Sequence, residues 1–166
     1  MFHAVRWPQH AVRDRICSTA LRSGSVRAMA ALGRTIPALP VRDTPTAVAH
    51  FRDRLGFSPI HVDDGFAVLQ RDDARLHLWQ AGDRSWSERE DLSEQPVRSG
   101  AESFLAGTAS CRIETDDVDG LYVELAANDV LHPVSRNGVT ETDFGTREFA
   151  TVDVDGNLIE FFRWLR

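Results

Sequence analysis

Two side chains have the chemistry for a site and sit where strand alternation turns them away from apolar neighbours. In Leu76 to Gln80, Leu76 and Leu78 fall on one face, while Arg75, His77 and Trp79 fall on the other. In Leu158 to Phe162, Ile159 and Phe161 share a face, and Glu160 lies between Leu158 and Phe162 on the opposite one. A carboxylate between two apolar neighbours is either wet at an edge or part of a site. His77 and Glu160 are 83 residues apart, the interval that also superposes the segments around them. An imidazole and a carboxylate can ligate a metal or make polar contacts to a small molecule. Two protein ligands make a feeble metal site, because catalytic centres ordinarily use three. Trp79 beside His77, and Trp86 in a polar loop with little local core to join, add flat surface for stacking.

Other chemistries are excluded by what the chain lacks. It has no lysine, so all 19 basic residues are arginine, which removes Schiff-base chemistry and the phosphate-loop lysine. No two glycines have GxG spacing, and no HExxH motif occurs. Cys17 and Cys111 form neither a CxxC pair nor a disulfide framework, so a reduced, cytoplasmic protein is expected. No apolar run approaches the ~20 residues that span a bilayer, and no membrane association is expected.

The elements that must position these groups are written twice. Ile36 to Phe57 reads as a proline-marked edge strand followed by a helix, with Thr44 as N-cap, Pro45 at the first helical position and Gly56 as stop. Ser110 to Val130 repeats this 74 residues later, matching Asp43 to Asp117, Ala47 to Leu121, Val48 to Tyr122 and Phe51 to Leu125. Phe66 to Trp79 lies over Phe149 to Phe162 at an offset of 83, matching Phe66 to Phe149 and Asp72 to Asp155. Each of those copies predicts strand, Asp-containing turn, strand. The 166 residues thus read as one α+β domain over 35–166. Module one covers 35–80, an insertion covers 81–107, and module two covers 108–166.

Charge is unevenly distributed. Residues 1–34 carry six arginines and one acid, a net of +5, and the remainder carries 13 arginines against 24 acids, a net of −11. Segment 1–34 lacks apolar periodicity and is expected to be a disordered or loosely attached extension, or an overlong reading frame starting naturally at Met29. Its arginine-rich, acid-poor composition superficially resembles a transit peptide. The acidic body repels nucleic acid and attracts a cationic partner, an attraction that salt weakens. The 81–107 insertion is long enough to be a lid, a binding loop or disordered, with a helical turn over Glu88 to Leu92 as one option.

Three stretches, VRDTPTAVAHFRDRLGF, ETDDVDGLYVEL and DFGTREFATVDVDGNLIEFF, resemble the vicinal-oxygen-chelate superfamily of glyoxalases, bleomycin-resistance proteins and ring-cleaving dioxygenases. The resemblance spans roughly residues 35–164. It implies two βαβββ modules forming curled mixed sheets around a concave cleft. By position, it places the superfamily's metal ligands on Ile36, His77, Ser110 and Glu160. Ile36 cannot coordinate and Ser110 is a poor ligand, so no metal and no cofactor are expected. PALPVRD, GFSPIHVDDGF, SCRIETDD and FGTREFA resemble the metal-free, drug-sequestering bleomycin-resistance branch. That likeness places ring-stacking positions on His61, Phe66 and Phe144, and implies a homodimer that exchanges its first strand, with Pro37 and Pro40 near the hinge.

The expected function is capture without conversion of a flat, cationic small molecule, a bleomycin-type antibiotic above all. Phe66, Phe144, Trp79 and Trp86 would hold rings, and Asp63, Asp64 or Glu160 would meet a cation. His61, His77 and Ser110 complete the candidate ligand set. The alternative is a metal-dependent lyase, isomerase, transferase or dioxygenase of the same superfamily using His77 and Glu160.

Overall fold

A computed structural model describes residues 32–82 and 105–165. The N-terminal expectations, Trp86 and the Glu88 to Leu92 turn lie outside the described residues.

Alternating apolar residues make the strands. β1 (Ala38–Val41), β2 (Ser58–Asp63), β3 (Phe66–Arg71) and β4 (Ala74–Gln80) form one sheet, in the order β1-β4-β3-β2. β5 (Ser110–Glu114), β6 (Thr140–Glu141), β7 (Thr146–Val152) and β8 (Leu158–Trp164) form the other, in the order β5-β8-β7-β6. β1 runs parallel to β4 and β5 parallel to β8, while the remaining pairs are antiparallel. A parallel pair needs a crossover. It is supplied by α1 (Thr44–Leu55) and α2 (Val118–Ala127), each between the first and second strand of its module. The fold is therefore α+β, a βαβββ module used twice.

The helix start differs from expectation. Asp43, not Thr44, is the N-cap: its carboxylate accepts from the Thr46 N–H at 2.9 Å. Thr44 is the first helical residue, fully buried, with its hydroxyl unpartnered, and Pro45 occupies the second helical position. Asp117 caps α2 in the same way, through the Gly120 N–H at 2.9 Å. Gly56, at φ 72°, ends α1 in the left-handed conformation that favours glycine.

The repeat is also looser than a constant offset of 83. It holds between β4 and β8, where Leu76 and Leu78 correspond to the buried Ile159 and Phe161, and His77 to Glu160. It fails between β3 and β7. Trp79 pairs with Phe66, whereas its counterpart Phe162 pairs with Glu148, so β7 follows β3 at 82. Asp72 and Asp73 alone turn the first hairpin, but three residues separate Asp153 from Asn157 in the second. Because side chains alternate with period two, one added residue reverses the face. Phe149 is accordingly core, 2% exposed and stacked on Phe161 at 5.4 Å, while Phe66 faces outward.

One apolar cluster runs through both modules, including Leu39, Phe51, Phe57, Leu78, Leu125, Phe149, Ile159 and Phe161. Full burial contributes about 1.5–3 kcal/mol for each such side chain. Polar ties add register. Asn157, fully buried, donates to the Pro40 carbonyl at 2.8 Å and to Asp153 at 2.7 Å, and accepts from the Ala109 N–H at 3.1 Å. Asp155 accepts from the Arg42 N–H at 3.1 Å. Arg71 reaches the Leu55 carbonyl and Glu124, both at 2.8 Å. The module-two hairpin turn and α2 are thus fastened to module one.

Candidate functional site

The faces of β3 and β4 that turn away from Leu69, Leu76 and Leu78 carry an aromatic cluster. Phe66 is its centre, because it pairs directly with Asp63 on β2 and Trp79 on β4. Its ring centroid lies 4.6 Å from Trp79, 5.2 Å from His77, which it meets edge-on, and 5.9 Å from His61. These separations are those of ring pairs that attract beyond simple burial. Phe66, His77 and Trp79 are half-buried and His61 is exposed. His61 Nε2 lies 3.1 Å from an Asp63 carboxylate oxygen, so the open side of the cluster carries an anion. Burial, then the positive charge of Arg75, lowers the His77 pKa, so its imidazole is neutral at pH 7. A neutral ring does not repel a cationic guest.

The corresponding face of the second sheet is built from charge. Glu160 on β8 sits beside Arg112 on β5, which it pairs with in register. Arg112 Nε lies 3.5 Å from Glu160, and its Nη2 donates to Glu148 on β7. Its guanidinium carbon lies 4.6 Å from the Phe162 ring centroid and 5.6 Å from that of Phe144. Phe144 projects from the turn before β7 and is 57% exposed. A cavity of about 210 Å³ adjoins the carboxylates, lined by Glu148, Glu160, Ser135 and Thr140 with Val134, Phe149 and Ala150.

Of the sequence-selected residues, the structure gathers His61, Asp63, Phe66, His77 and Trp79 on one sheet, and Phe144 and Glu160 on the other. Ser110 is exposed at the start of β5, paired with Leu158 rather than Glu160. Ile36 precedes β1. Two residues escaped notice: Arg112 and Glu148. The alternation of Ser110, Arg112 and Glu114 with buried Cys111 marks Arg112 as outward-facing, but its neighbours depend on the registers of three strands.

A profile of the Glyoxalase/Bleomycin resistance protein/Dioxygenase superfamily matches residues 31–161. The chain belongs to that superfamily. Bleomycin resistance proteins of Geobacillus stearothermophilus and Staphylococcus aureus are 44% identical to it over 133 residues, covering 80% of this chain and 98% of theirs. Among solved structures, the bleomycin-binding protein from bleomycin-producing Streptomyces verticillus, complexed with copper(II)-bleomycin, has a TM-score of 0.58 and 29% identity. That match covers 80% of this chain and 97% of that one. The bleomycin resistance determinant encoded on transposon Tn5 shares the fold, with a TM-score of 0.56 and 23% identity over 80% of this chain and 98% of the other.

The donor set does not fit the divalent ion that enzymes of this superfamily usually hold. Ile36 offers no donor atom, and Arg112 already places a cation against Glu160 and Glu148. Among the described residues no group of three or more His, Cys, Asp or Glu side chains converges. Nor is Cys111 a nucleophile. Burial, with smaller contributions from Asp153 and Glu160, pushes its thiol pKa up to about 12.

Proposed function

We propose that this protein binds a bleomycin-type antibiotic and sequesters it without chemical change, conferring resistance. The ring cluster centred on Phe66 carries the reading. It is a wall of flat, half-buried surfaces bordered by the Asp63 carboxylate, suited to a heteroaromatic unit with a cationic extension. The relatives named bleomycin resistance protein, 44% identical over nearly their whole length, support the same ligand class. Phe66, Trp79, His61 and His77 receive the rings, and Asp63 meets positive charge. Phe144, Glu160 and Ser110 contribute from the second sheet, and Trp86, outside the described residues, is assigned to the same ligand. The buried thiol and the poor metal donor set favour holding over turnover.

The binding unit is a homodimer. Ring-bearing and charge-bearing faces belong to different sheets, and a second copy lets the face of one subunit meet the complementary face of the other. β1 lies against β4 with Ala38 opposite His77. A partner's β1 exchanged into that register would satisfy the same hydrogen bonds, and it would leave its own subunit through the short connection between β1 and α1, just after Pro40. Among the described residues no helix is long and apolar enough to cross a membrane, and we assign the protein to the cytoplasm.

Isothermal calorimetry with bleomycin, run with and without a chelator, tests the reading, with the drug recovered afterwards for mass analysis. Tight binding that survives chelation of free metal and returns intact drug is expected. A modified product, or no binding, overturns it. Light scattering reports the dimer.

A further inference from the structure

The Arg112 side chain occupies a place built for a planar cation. Its guanidinium lies over the Phe144 and Phe162 rings and against two carboxylates, Glu148 and Glu160. Two carboxylates against one guanidinium leave a negative charge over. Both also line the adjoining cavity of about 210 Å³, which is room for a small organic cation. Glu148 is itself held in place, accepting from the Thr146 hydroxyl at 2.7 Å. Glu148 therefore does not depend on Arg112 alone for its position. Arg112 is the member free to leave: it stands on the outward face of β5, more than a third of its side chain is exposed, and a long side chain has many rotamers. At the equivalent position of the first sheet, opposite His77, stands Ala38, which fills no such slot.

Resting on the binding function proposed above, we infer that Arg112 is an internal stand-in for the ligand. The slot framed by Phe144, Phe162, Glu148 and Glu160 receives the ligand's cationic group, of the guanidinium or ammonium class, in exchange for the Arg112 guanidinium. In the empty protein Arg112 shields the carboxylates and sets a threshold that a lone small cation does not cross. A drug held by its rings elsewhere supplies its cation at high local concentration and displaces Arg112. Arg112 is thus a specificity residue that makes cation binding conditional on ring binding.

Vacating the slot is the test, with ethylguanidinium, the tip of an arginine side chain, as probe. Arg112→Gln is titrated beside wild type by calorimetry and by melting temperature. The variant is expected to bind the probe at least about tenfold more tightly than wild type and to gain about 2–4 °C at saturating probe. Adding Glu160→Gln to the variant should abolish both effects. Arg112→Lys, which keeps a positive charge but clears the rings, serves if the Gln variant does not fold, and should bind the probe more weakly than Gln but above wild type. Equal probe binding by wild type and a folded variant overturns the exchange, as does probe binding that survives Glu160→Gln. The probe contains no drug, so the slot is judged independently: failure of wild type to bind bleomycin would sink the proposed function while leaving the probe result to decide this one.

Discussion

Asn157→Leu is the substitution whose cost follows most directly from the geometry. Asn157 is fully buried, and its side chain makes three hydrogen bonds: to the Pro40 carbonyl, to Asp153, and from the Ala109 N–H. Leucine has similar volume, so cavity formation contributes little and the polar loss dominates. Each hydrogen bond contributes about 1 kcal/mol net, but a partner left buried and unpaired costs about 1–3 kcal/mol. The Ala109 N–H and the Pro40 carbonyl lose this partner outright. Asp153 keeps bonds from the Asp155 and Asn157 backbone N–H groups, which limits its loss. The expected total is about 3–5 kcal/mol, a fall of about 10 °C in melting temperature for a domain of this size. Urea unfolding at constant slope, paired with a thermal melt, measures it. Because the tie joins the β8 turn to β1, the midpoint loss should be accompanied by faster hydrogen exchange at the β1 amides. A fall under about 2 °C would refute the idea that this residue clasps the modules together.

Phe66→Ala and Phe149→Ala should part company despite their match in the repeat. The first should weaken bleomycin binding by about tenfold or more with little change in melting temperature. The second should destabilise the fold by about 3–5 kcal/mol; similar melting losses in both would contradict the register. His50 gives a pH signature. Burial, outweighing the nearby Asp153 charge, lowers its pKa below 6.5, so the unfolded chain takes up the proton first. Stability is then retained above pH 6.5 and lost as pH falls from there toward the folded-state value. His77, lowered in the same direction, adds to the loss. His50→Gln should flatten the melting-temperature profile below pH 6.5, and an unchanged slope would count against it. Finally, raising salt from about 50 to about 300 mM should weaken drug binding through faster dissociation and slower capture, measured by surface plasmon resonance; salt-independent affinity would remove the electrostatic part of the reading.

Much of this architecture is legible in the residues alone. The alternations around His77 and Glu160 identify which sides of β4 and β8 are buried, because burial has period two and both strands are strongly apolar on one side. The N-cap expected from sequence falls one residue late because proline favours the first helical position, which points to Thr44, although aspartate is the better cap. The match of Asp43 to Asp117 held the answer, since both carboxylates cap. The β3–β7 match failed because identical residue types, Phe66 and Phe149, tempted an alignment that the turn lengths contradict. Arg112 was illegible for another reason. Its role exists only where β5, β7, β8 and the Phe144 turn come together.

The single additional residue in the second hairpin makes the outward faces of the two halves of this duplicated protein unlike at one register position. Had β7 copied β3 in step, Phe149 rather than Glu148 would have stood opposite Phe162 on the outward face. Instead, Glu148 stands there beside Glu160, and Phe149 is turned into the core. On the binding function proposed above, a guest reaching across both halves would meet mainly rings on the first and carboxylates on the second. On that reading, the length of one turn contributes to selectivity for a molecule that carries both a flat end and a charged one.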